Sequence, residues 1–281
     1  MKDYLELTKP NVTWLILMSA AVGFYLGSAG PVDWLLAVEA VIGTTLVASG
    51  TAALNQWMER DVDGRMQRTR RRPLPAGRLR PARAFWFGLT LSIAGIVCLL
   101  AAVNVLTGLL AAFTCSSYLL AYTPLKSRTP HSTLVGAFPG AMPILMGWTA
   151  ATGRLSLEGW ILYGILFLWQ FPHFLAIATL YREDYERGGI VMLPVVDSSG
   201  VATGRQILAY TIALLALSLM PALLGFSGKV YLAGAVALGL TFLYFGWELA
   251  RRHTKLDARR LLQASVVYLP LVYVLMVVDK Q

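Results

Sequence analysis

The chain has 281 residues, of which 57% are hydrophobic and only 14% charged, with a formal net charge of +9. A soluble domain carries about a quarter charged residues, so this composition excludes a soluble fold. The basic excess comes with no soluble module that could read nucleic acid, and none is expected as a partner. Cys98 and Cys115 both fall in apolar stretches and are read as small core side chains, giving neither a disulfide framework nor a metal site.

The N-terminal stretch MKDYLELTKP mixes two acids with two lysines. It fits neither a transit peptide nor a secretory leader, so the first apolar run is expected to stay in the membrane. Nine apolar runs follow, at about Asn11–Gly27, Asp33–Trp57, Ala84–Val103, Leu106–Thr123, Leu134–Thr152, Trp160–Leu180, Gln206–Gly225, Val230–Glu248 and Leu261–Val278. Each suits a helix crossing a hydrocarbon core roughly 30 Å thick, and the runs are too long for barrel strands. The expectation is an all-α integral membrane protein: about nine transmembrane helices in one domain, residues 1–281, around a central cavity. Of the 24 Lys and Arg residues, 21 lie in the N-terminal tail and the even-numbered connections; the other face has only Arg154, Lys229 and Lys280. By the positive-inside rule the N-terminus is cytoplasmic, the C-terminus is outside and the cavity opens to the cytoplasm. A bacterial-type plasma (inner) membrane is the simplest location. Acids mixed with bases recur after the second and sixth spans, which suggests two four-helix repeats plus a ninth helix.

The connection after the second span reads Asn55-Gln-Trp-Met-Glu59-Arg-Asp61-Val-Asp63-Gly-Arg-Met-Gln-Arg68-Thr69-Arg-Arg-Arg72-Pro-Leu-Pro-Ala-Gly77. Asn55, Glu59 and Asp63 are four apart and share one helix face, with Asp61 roughly opposite. Hard oxygen donors in a ladder suit Mg²⁺, which takes one or two carboxylates and completes its shell with water and phosphate. The arginines that follow match phosphate oxygens. The competing reading is a solvated helix end laced with salt bridges, although acids and amides at a membrane edge are costly and tend to be functional. Further on, Tyr122 and Lys126 form Y-x3-K at the end of the fourth span, where Lys126 could also be a snorkelling lysine. Arg128 lies nearby. His173 sits in WQFPHF, late in the sixth span.

The stretch Asn55–Gly77 resembles the signature of the intramembrane (UbiA-type) polyprenyltransferases. Its form N-x3-E-x3-D-x2-M-x-R-T-x2-R-x4-G resembles the branch that farnesylates haem. The likeness extends through LTKPNVTWL, YTPLKSRTPHSTLVGAFPGAMPILMGW and WQFPHFLAIATLYREDYERGGIVMLPVV. The resemblance implies that Lys126 binds diphosphate, with Arg68, Arg72 and Arg128 assisting. It also implies that haem B, farnesyl diphosphate and water give haem O and diphosphate, with haem a substrate and Mg²⁺ the cofactor. Where relatives carry a second D-x3-D motif, this sequence has Tyr181 and Tyr185, with Glu183 and Asp184 between them as candidate ligands of a second Mg²⁺. Tyr122, Trp169 and Phe174 are candidates to line the substrate cavity and stabilise an allylic cation. For His173 three roles stay open: axial haem ligand, base for the quenching water, or packing residue. A homo-oligomer or a haem A synthase partner is compatible with this reading. Rival readings are a sibling prenyltransferase for a quinone or chlorophyll precursor, and a secondary transporter; the transporter is expected to carry charges within its spans, and Glu39 is the main one here.

Overall fold

The computed structural model describes residues 1–281. It is entirely helical, with nine helices long and apolar enough to cross a membrane: α1 Pro10–Gly27, α2 Trp34–Arg65, α3 Pro81–Val103, α4 Val105–Leu125, α5 Ser132–Thr152, α6 Leu157–Leu180, α7 Val201–Leu223, α8 Lys229–Arg252 and α9 Lys255–Val278. The chain is a multi-pass membrane protein. The apolar runs mark the spans, but several helices extend past them into polar sequence. α2 runs to Arg65 rather than Trp57, α7 starts at Val201 rather than at residue 206, and α9 starts at Lys255 rather than Leu261. Local hydrogen bonds support such ends: the Thr254 hydroxyl caps α9 by accepting from the Asp257 amide, satisfying a donor the first turn leaves free. Between α3 and α4, Asn104 breaks the helix by accepting from the Thr107 amide at 2.8 Å and donating to the Thr149 carbonyl at 2.9 Å.

α5 and α6 form the centre. In their most apolar stretches 72% and 67% of residues are buried, against 22–39% in the other seven spans. α1, α2 and α4 pack against α5 and α3 packs on the outside of α2, while α7 and α9 flank α6 and α8 closes the outside. α1 and α5 cross closely at Gly23 and Gly147, where a side chain on either would overlap the backbone of Ile144 or Ala20; small residues permit such approaches in lipid, where packing carries helix association.

Long-range polar contacts define the two ends of the bundle. At one end, Lys9 meets α2, Arg78 meets Asp3 and Glu6, and Lys255 meets Glu183. At the other, Lys280 donates to the Tyr25 and Ser28 carbonyls, and Asp279 accepts from the Tyr231 amide. The first of these, called the site end below, gathers the N-terminus and the basic connections.

Candidate active site

The last turns of α2 carry Asn55, Glu59 and Asp63 into the interior. Asn55 and Asp63 are 0% and 1% exposed, while Asp61 is turned to solvent. The amide and carboxylates of this ladder all find partners within the chain. Lys126 Nζ donates to Glu59 Oε1 at 2.8 Å. Arg72 Nη1 donates to both oxygens of Asp63, at 2.8 and 2.7 Å. Lys9 Nζ donates to Asn55 Oδ1 at 2.8 Å, and Asn55 Nδ2 donates to Thr123 Oγ1 at 3.2 Å. Three cations from three separate segments thus face an amide and two carboxylates on one helix.

Lys126 lies against the Tyr122 ring, 4.5 Å from its centroid, and is 5.9 Å from that of Tyr118. Gly136 makes room for this arrangement: a Cβ there would stand 2.5 Å from the Tyr122 ring. Burial opposes the charge on Lys126, but Tyr122 and Glu59 outweigh it and hold the ammonium well above the ordinary lysine range.

Lys9 is the site residue that the sequence reading missed. Its backbone is left-handed, φ 48°, just before Pro10 at the first turn of α1. Few non-glycine residues adopt that conformation, and it persists only where the surroundings enforce it. Here the N-terminal helix Lys2–Leu7 folds back onto the site end: Leu7 is fully buried, and Gln56 Nε2 donates to the Leu7 carbonyl at 3.0 Å. The reversal aims Lys9 inward. Burial, and then the nearby Arg72 charge, lower its pKa to about 7. The one sequence signal was a lysine beside a proline at the mouth of a span.

The residues proposed for a second metal do not join this cluster. Glu183 is exposed and paired with Lys255 at 2.8 Å. Asp184 is buried, but it accepts from the amides of Gln67 and Arg68 at 2.8 and 3.0 Å and from Arg187 at 2.6 Å. Burial opposes its charge; the Arg187 and backbone bonds prevail and keep the carboxyl below its usual range. It works as a staple between the α6–α7 connection and the loop after α2. Asp184→Asn should therefore speed amide hydrogen exchange at Gln67 and Arg68, because an amide group offers one oxygen where the carboxylate offers two; unchanged exchange would refute the staple.

The other expected residues divide. Arg68 is exposed, above the rings of Tyr181 and Tyr185 at 5.4 and 5.9 Å, and Arg128 is exposed with no side-chain partner. Trp169 and His173 stack at 4.6 Å, with Phe174 edge-on to His173 at 5.4 Å. His173 lies eight residues before Tyr181 on α6, roughly 12 Å deeper into the bundle at 1.5 Å per residue. His131 is exposed and His253 ends α8 in a left-handed turn. Both cysteines are free.

The fold is thus a helical membrane bundle that places two carboxylates, an amide and three cations together at one end. The model described as the UbiA prenyltransferase family matches residues 16–269, and the chain belongs to that family. A protoheme IX farnesyltransferase of Solibacter usitatus (strain Ellin6076) is 55% identical over 289 residues, covering 100% of this chain and 99% of its own. One of Koribacter versatilis (strain Ellin345) is 45% identical, covering 100% and 94%. Among solved structures, digeranylgeranylglyceryl phosphate synthase superposes with a TM-score of 0.83 at 19% identity, over 99% of this chain and 97% of its own. A UbiA homologue from Archaeoglobus fulgidus bound to GPP and Mg2+ gives 0.70 at 16% identity, over 98% and 99%. At these identities the structural likeness speaks for the fold alone.

Proposed function

We propose that this chain, in a bacterial plasma membrane with its site end in the cytoplasm, transfers the farnesyl group of farnesyl diphosphate to a vinyl group of haem B, with addition of water, giving haem O and diphosphate. The observation that carries the chemistry is the buried ladder Asn55–Glu59–Asp63 facing Lys9, Arg72 and Lys126. The substrate pair comes from the full-length relatives described as protoheme IX farnesyltransferases.

The donor set fits Mg²⁺. Two carboxylates and an amide oxygen lie on one helix beside three cations that match phosphate. That is the pattern of an ion held jointly by protein, water and substrate phosphate, and the Archaeoglobus fulgidus homologue is described with GPP and Mg2+. Asn55, Glu59 and Asp63 would hold it, and when bound it would neutralise charge developing on the leaving diphosphate.

The chain's own residues do the rest. Without substrate, Glu59 and Asp63 neutralise Lys126 and Arg72, so the buried charges are balanced. When substrate arrives, Lys126, Arg72 and Lys9 turn to diphosphate oxygens. Arg68, at the exposed rim over Tyr181 and Tyr185, serves entry. The C1–O bond then breaks with its electron pair leaving on diphosphate, and cations aimed at that charge lower the barrier. The outer vinyl carbon of haem bonds to C1, which has allylic cation character. The carbon next to the porphyrin takes a water oxygen, and the water loses its proton. Tyr122, held against Lys126, and the Trp169–His173–Phe174 wall line the path and exclude bulk water.

The test is direct. Detergent-purified protein given haem B, farnesyl diphosphate and Mg²⁺ is expected to release diphosphate and form a hydroxylated farnesyl haem by mass spectrometry. EDTA should stop the reaction and added Mg²⁺ restore it. Diphosphate release without haem alkylation would assign a different acceptor, and turnover without divalent metal would end the metal assignment.

A further inference from the structure

His173 is held by one residue that no sequence motif pointed to. Its Nδ1 lies 2.7 Å from Ser265 Oγ on α9. The ring stacks on Trp169, whose indole N–H donates to the Ser265 backbone carbonyl at 2.9 Å. Trp169, Ser265 and His173 form a closed loop of contacts between α6 and α9, and Ser265 is fully buried. The imidazole is fixed in place and in rotation.

The hydrogen bonds also fix which nitrogen carries the proton. A serine hydroxyl has one proton to donate. Ser265 Oγ lies 2.6 Å from the Leu262 carbonyl oxygen, and a carbonyl only accepts, so an oxygen pair this close requires the serine proton between them. That proton is then unavailable to His173. The 2.7 Å contact with Nδ1 must run the other way, with Nδ1–H donating to Ser265 Oγ. Nε2 is left with its lone pair, and it makes no hydrogen bond within the chain.

We propose that Ser265 is a positioning residue for the reaction: it locks His173 in the Nδ1–H tautomer so that the Nε2 lone pair is presented to the haem iron as an axial donor. The inference rests on the proposed haem substrate and goes beyond it by assigning the residue and the tautomer. A metal-bound histidine characteristically donates its other ring N–H to an oxygen that fixes tautomer and orientation. The partner here is a neutral hydroxyl rather than a carboxylate, so the imidazole stays neutral. Iron is favoured over a general-base role by surroundings: His173 lies within the apolar length of α6, eight residues before Tyr181, between the Trp169 and Phe174 rings, where a flat porphyrin finds apolar and aromatic partners and an anchoring ligand would set its position.

Two readouts test this independently. In haem-free protein, the ¹⁵N spectrum of the His173 ring is expected to show a protonated Nδ1 and an unprotonated Nε2. Ser265→Ala should collapse that pattern into a tautomer mixture, and Ser265→Thr, which keeps the hydroxyl, should restore it. In protein titrated with ferric haem, a histidine-ligated Soret band is expected. It should be lost in His173→Ala and weakened in Ser265→Ala, with haem affinity about 10- to 100-fold lower, and recovered in Ser265→Thr. An Nε2–H tautomer in the wild type, or a Ser265→Ala variant with unchanged tautomer and haem spectrum, would overturn the proposal. A locked tautomer with a Soret band that ignores His173→Ala would instead overturn iron ligation, and absence of haem binding by the wild type would overturn the substrate assignment.

Discussion

Asp63→Asn and Glu59→Gln are each expected to cut turnover by roughly 100- to 1000-fold or more while the protein still folds. Each change removes one negative charge and almost no volume. Asparagine keeps an oxygen that Arg72 can donate to, and glutamine keeps one for Lys126, so the local geometry has an acceptor in place. What disappears is the anionic ligand that a divalent ion needs. A second effect runs alongside: Lys126 and Arg72 lose the charges that balance them. Breaking a buried pair by removing one partner costs about 3–5 kcal/mol, so the variants are expected to melt at lower temperature in detergent. The double variant Glu59→Gln/Lys126→Met separates the two effects. With both charges gone it should regain thermal stability and stay inactive. Excess Mg²⁺ should rescue EDTA-treated wild type and none of these variants. Wild-type turnover in either single variant would remove the ladder from the mechanism.

The second large effect concerns the diphosphate cradle. Lys126→Met and Arg72→Met are expected to weaken farnesyl diphosphate binding by roughly 10- to 100-fold each, since a hydrogen bond from a charged donor contributes about 1.5–3 kcal/mol. Affinity for farnesol, which carries the same tail and no phosphate, should not change; an equal loss for both ligands would indicate a damaged cavity. Lys9 adds a pH dependence. Its pKa of about 7, set by burial and then by Arg72, leaves it partly neutral in the empty site at neutral pH. An anion favours the ammonium, so binding takes up a proton, and affinity falls as pH rises through 7. In metal-free buffer, inorganic diphosphate should bind more weakly at pH 8 than at pH 6. Lys9→Arg, charged throughout, should reduce that slope; an unaltered slope in the variant would assign it to another group.

The sequence by itself determined the membrane class, the nine spans and the ladder. Apolar length reports the bilayer directly, and a spacing of four residues reports one helix face whatever the rest of the fold does. The i, i+4 relation of Asn55, Glu59 and Asp63 therefore survives unchanged in α2. Proximity across the chain is different, because it depends on how helices pack. Only the tertiary structure brought Lys126, 67 residues away, onto Glu59, and only the reversal at left-handed Lys9 turned a tail lysine into the site. The same limit applies to Glu183 and Asp184. Their acids resembled metal ligands in the chain, but Lys255 holds one at the surface and backbone amides after α2 claim the other. His173 was visible as a residue, while its tautomer was decided by Ser265, 92 positions later. A hydroxyl proton has one direction to point, and nothing local to α6 reveals which.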